Sequence, residues 1–116
     1  METTLWETRF AVTSGDISRG KRKSHQFCPV ALCIKRRFPS HKSMYGWITA
    51  RRITVGFKEV YEGRFAGYVE YVYDSPKTVR EFVRKFDHGG VVAPMKFKLG
   101  KYVTERHYYG RPVPTP

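Results

Sequence analysis

Apolar runs long enough to cross a membrane are missing from this chain; no stretch approaches the ~18 apolar residues of a spanning helix. The opening METTLWETRF holds no apolar h-region, so no signal peptide is expected. Cysteine is scarce: only Cys28 and Cys33 occur, five apart in FCPVALCIK. On a helix they point to different faces, which disfavours a bridge between them. The expectation is two buried free thiols in a reduced, cytoplasmic setting. Neither CxxC nor HxxxH spacing is present, so no metal or other cofactor is expected. No Walker-type GxxxxGK(S/T) or GxGxxG occurs, and no RNP-like run that would mark an RRM. Carboxylates are also few: ten Asp and Glu face 22 Lys and Arg, a net charge of +12.

That imbalance is the main clue to a partner. A surface so positive repels itself in the compact state, and it attracts polyanions within a Debye length of ~8 Å. The 116 residues suit one domain, which at this size buries roughly two-thirds of its unfolded surface. A hydrophobic content of 41% and an aromatic content of 16% supply a core and argue against wholesale disorder.

Alternation in residues 8–13 predicts a first strand. Asp16 is expected to cap a single turn, and Gly20 to end it in a left-handed conformation. A basic loop with Arg19, Lys21, Arg22 and Lys23 follows. Pro29 at a first helical position, an apolar run and then Lys35-Arg36-Arg37 predict a short helix over residues 29–37, with a strand as the weaker alternative. Strands are predicted over residues 46–55, 57–61 and 64–73, with Glu62-Gly63 as a two-residue turn. In the last of these, Phe65, Val69, Tyr71 and Tyr73 share one face. Ser75 as N-cap and Pro76 at the first position begin a second helix, whose Val79, Phe82, Val83 and Phe86 recur at i, i+3, i+4 and i+7. It ends near Gly89-Gly90. Residues 95–99 predict a strand that closes the sheet. The order β-α-β-β-β-α-β implies an α+β fold: one antiparallel sheet of about five strands with two short helices on one face. The domain is placed at residues 1–100. Residues 101–116 are read as a basic, aromatic and then proline-rich tail with an extended end.

Candidate phosphate-binding residues are Arg19, Lys21, Arg22 and Lys23 in the loop, Arg36 and Arg37 at the first helix's C-terminus, Arg51 on a strand, and Lys77, Arg80 and Arg84 along the second helix. The loop lies before a helix N-terminus, where backbone N–H groups and the dipole favour an anion. Arg51 and Arg52, adjacent on a strand, are expected to point to opposite faces. Trp47 and Tyr68 are candidate stacking residues beside them, although cross-strand packing is the simpler account of most such aromatics. Each charge cluster also reads as an ordinary solvated face. The histidines at 25, 41, 88 and 107 are scattered among basic residues without the carboxylate-and-nucleophile spacing that catalysis needs, so no enzyme is expected. Asp87-His88 reads as a helix-capping feature.

Val12, Thr13, Asp16, Ile17 and Gly20, then Cys28, Pro29, Ala31 and Leu32, and finally Phe82, Val83, Phe86, Asp87, Gly89, Val92, Pro94, Phe97 and Leu99 form a pattern of their own. It resembles that of small uncharacterised proteins of tailed-phage genomes, which read V-T-x-x-D-I-x-x-G, then C-P-V-A-L, then F-D-x-G-x-x-V-x-P-x-x-F-x-L. The match covers both ends of the domain and leaves out the middle hairpin. It implies a phage or prophage origin and an accessory role, and it carries no catalytic motif. The expected function is binding of phosphate-bearing nucleic acid without catalysis. The alternative is an anti-defence protein that sequesters a signalling nucleotide or inhibits an acidic host protein. No membrane partner is expected, and homo-oligomerisation stays open.

Overall fold

The computed structural model describes residues 8–39 and 43–109. The proline-rich end of the tail, with Arg111, and His41 lie outside the described residues. The described chain is an α+β domain with strands β1 (Arg9–Val12), β2 (Tyr45–Ile48), β3 (Arg52–Tyr61), β4 (Arg64–Asp74), β5 (Met95–Lys98) and β6 (Thr104–Tyr109). Its helices are α1 (Ser14–Arg19), α2 (Pro29–Arg36) and α3 (Lys77–Asp87). The strands form two antiparallel sheets, β1-β5 and β2-β3-β4-β6, where a single sheet was expected. No helix among the described residues is long and apolar enough to cross a membrane.

The expected single turn at Asp16 is a full short helix. Its N-cap is Thr13, and a capping box joins the two: Thr13 Oγ1 accepts from the Asp16 N–H at 3.2 Å, and Asp16 Oδ2 accepts from the Thr13 N–H at 2.9 Å. Gly20 ends α1 at φ −69°, in extended backbone rather than the left-handed form. Packing explains the glycine, since a Cβ there would lie 2.5 Å from the Pro29 ring. The α2 helix buries Pro29, Val30, Ala31, Cys33 and Ile34, as its apolar run predicts. It packs over β2, where Ala31 approaches Gly46.

The expected boundary at Gly56 moves to residues 49–51. Thr49 makes the turn there: its N–H donates to the Arg52 carbonyl at 2.9 Å, and its hydroxyl accepts from the Arg52 N–H at 3.0 Å. Nothing in the β-branched alternation marks that turn, which contains neither Gly nor Pro. Glu62-Gly63 does form the β3–β4 hairpin turn, with φ +49° and +75°. A register shift follows, so that Val60 opposes Phe65 while Glu59 opposes Gly67. Ala66 is the extra residue, and it moves Phe65 to the face of Tyr68, the two rings 5.4 Å apart. Phe65 therefore does not share the core face of Val69, Tyr71 and Tyr73, as simple alternation predicts.

The α3 helix starts at Lys77 with Pro76 as N-cap, one residue later than expected. It buries Val79, Phe82, Val83 and Phe86 and ends at a left-handed Gly89 with φ +81°. Phe97 of β5 stacks on Phe10 of β1 at 5.2 Å, which sets the small sheet against the same core. Residues 104–109, placed in the tail by sequence, instead form β6 on the edge of the larger sheet.

Candidate phosphate-binding cleft

The Thr49 turn and the start of α3 are bound to each other. Ser75 donates its N–H to the Arg51 carbonyl at 3.0 Å, and its buried hydroxyl points to the Thr49 carbonyl at 3.4 Å. This junction opens a cleft of about 640 Å³ between turn and helix. Five cations, Arg51, Arg52, Lys77, Arg80 and Arg84, line it with the carboxylates Asp74 and Glu81. Each carboxylate is matched within the wall: Arg52 holds Asp74 at 2.7 Å, and Lys77 lies 3.8 Å from Glu81. Arg51, Arg80 and Arg84 form no ion pair with any described residue.

Arg51 and Arg52 thus line one cleft together. They were expected on opposite faces of a strand; the turn at Thr49 is the reason they converge. Lys77, Arg80 and Arg84 come together as their i, i+3, i+7 spacing predicts.

The basic loop is tied to the end of α3 through Lys23, whose backbone N–H donates to Asp87 Oδ1 at 2.9 Å. His25 fastens the loop to β2. Its Nδ1 donates to the Ile48 carbonyl at 2.9 Å, its own carbonyl accepts from the Ile48 N–H at 2.9 Å, and its ring stacks on Trp47 at 4.7 Å. Arg22 lies over Gly89 at the end of α3, and Lys21 sits 5.6 Å from the centre of the Phe27 ring. Trp47 is therefore a packing partner of His25. Tyr68 packs edge-on against Tyr45 at 6.0 Å and against Phe65.

The remaining candidates lie elsewhere. Arg36 donates from Nη2 to Asp16 Oδ2 at 2.8 Å and to the Ala11 carbonyl at 2.9 Å. Arg19 Nη2 is 3.7 Å from the other Asp16 oxygen. Both serve the buried Asp16 carboxylate that ties α1, β1 and α2 together. Arg37 is exposed and lines no part of the cleft. The N-terminus of α2 is not an open anion cradle. Cys28, Pro29, Val30 and Ala31 are all buried, so the first turn of the helix is covered. Burial pushes the Cys28 thiol up to about 11 and the Cys33 thiol to about 12, so both stay protonated near neutrality. Both cysteines are free.

No family model, curated protein or solved structure matches this chain.

Two residues of a hollow beside the cleft were not legible as site residues. His25 is one of four scattered histidines in the sequence, and Asp87 reads as a helix cap. Tertiary pairing brings both to the same place, and no spacing in the sequence announces it. His88 does behave as a cap, donating from Nδ1 to the Arg84 carbonyl at 2.7 Å.

Proposed function

We propose that the protein binds phosphate-bearing nucleic acid in the cleft between the Thr49 turn and α3, without catalysing a reaction. The observation that carries this reading is the trio Arg51, Arg80 and Arg84: three exposed guanidiniums that line one cleft, none of them ion-paired with a described residue. Guanidinium matches phosphate oxygens with a planar pair of donors, and its positive charge persists at any physiological pH. The partner is a phosphate polymer because several cations line one cleft and the whole chain is positive, so that counterion release adds to each contact. The phage-type pattern gives this binding an accessory role in a host cytoplasm.

The described histidines support binding over chemistry. His25 and His88 each hold a backbone carbonyl, and His107 sits between two carboxylates on the distant β6.

The test is oligonucleotide affinity as a function of salt. A single strand is expected to bind with a log–log slope of about −3 to −5. Replacing Arg51, Arg80 and Arg84 by Gln is expected to flatten that slope by about 2, at ~0.7 per lost phosphate contact. Absence of binding at ~50 mM salt, or a triple variant that binds as the parent does, overturns the proposal.

A further inference from the structure

A second hollow adjoins the cleft. It holds about 220 Å³, and Arg84 borders both spaces. Its walls are apolar where Cys28, Ile48, Ala50 and Val83 contribute, and Cys28 remains a neutral thiol. Polar residues line it too, among them His25 of the basic loop and Asp87 at the end of α3. His25 uses Nδ1–H on the Ile48 carbonyl, so the neutral ring keeps Nε2 as an acceptor. Asp87 accepts the Lys23 N–H on Oδ1, and its Oδ2 makes no hydrogen bond to a described residue. An apolar chamber with a few directional polar groups is the usual build of a small-ligand site. Its size selects the ligand. A cavity of ~150 Å³ takes up benzene, so this one suits a single heterocycle and excludes a stacked pair.

In a nucleic-acid strand the base hangs one sugar away from its phosphate. A phosphate held by Arg84 therefore leaves its base beside the hollow. We infer that the hollow receives one unstacked nucleobase of a single strand, whose backbone runs along Arg84, Arg80 and Arg51. This inference rests on the nucleic-acid reading of the cleft. A duplex holds its bases in the stack and must unpair one before it can be bound in this way, whereas a single strand has little to undo. The Asp87 carboxylate accepts hydrogen bonds only, so it suits a base edge that presents N–H donors.

The experiment compares three ligands on the unaltered protein at ~50 mM salt: a strand of about ten nucleotides, the same strand with every base removed, and the corresponding duplex. The intact strand is expected to bind ~10- to 100-fold more tightly than the abasic one, which carries the same phosphates, and the duplex no more tightly than the abasic strand. Ala50→Trp, which fills the hollow from the turn, is expected to bring the intact strand down to the abasic level while abasic binding holds. Equal binding of intact and abasic strands by the unaltered protein overturns the base pocket and leaves the cleft reading standing. Failure of both strands to bind overturns both.

Discussion

Asp16 shows how one buried carboxylate organises three elements. Its side chain is fully shielded: Oδ2 accepts from the Thr13 N–H and from Arg36, while Oδ1 makes no hydrogen bond and has Arg19 Nη2 at 3.7 Å. Burial works to raise its pKa; the Arg36 guanidinium and the Thr13 groups outweigh burial, and the net position lies below the ordinary 3.8. A carboxylate depressed in the folded state stabilises the fold above its unfolded value, and that contribution is lost as pH falls through the folded value. Asp16→Asn is therefore expected to destabilise the protein at pH 7 by about 1–3 kcal/mol, read from urea unfolding. Half the Arg36 side chain is exposed, so solvent screening keeps the effect below that of a fully buried pair. The variant's deficit should shrink below pH ~4 as the parent's carboxylate protonates; a deficit independent of pH would show that the charge is not what matters.

Strand β6 depends on a charge arrangement of a different kind. His107 lies between Glu59 of β3, 3.0 Å from Nδ1, and Glu105 of its own strand, 2.8 Å from Nε2. Glu105 first and Glu59 second raise the His107 pKa above 6.5. A histidine raised in the folded state stabilises below its unfolded value, and the contribution fades as pH climbs through the folded value. The β6 amides are thus expected to exchange hydrogen faster above that pH than below it, after correction for intrinsic rates. An NMR titration should place the His107 midpoint above 6.5. A midpoint at or under 6.5 would refute the clasp. The same strand shows why part of the fold is not written locally. The sequence TERHYY ends in two aromatics suited to a strand, but its partners on β4 lie far back in the chain, from Gly67 opposite Tyr109 to Val72 opposite Thr104. By contrast, α2 and α3 were legible because Pro29 and a complete i, i+3, i+4, i+7 apolar stripe act within one helix.

The charge of +12 acts over the whole molecule, so the cleft must be separated from the general field. Lys35, Lys96 and Lys98 are exposed and line no part of the cleft. Replacing all three by Gln removes as much charge as the arginine triple variant. It is expected to slow association but to change the salt slope by less than ~1, because no phosphate contact is lost. Equal effects of the two triple variants on the slope would mean that the surface binds without a site.

Sequence periodicity, proline placement and composition were enough to specify the α+β class, the helix at Pro29, the second helix to within one residue of its start, the Glu62-Gly63 turn and the net charge of +12. Each of these depends on residues close together in the chain or on a simple sum over it. The Thr49 turn, the division into two sheets, the docking of β6 and the meeting of Arg51 with Arg80 and Arg84 depend on contacts between distant segments. Side-chain hydrogen bonds and shared burial decide those contacts. The turn at Thr49 brings Arg51 and Arg52, expected on opposite faces of a strand, to the lining of one cleft. A cleft of this kind becomes visible only once the chain has folded.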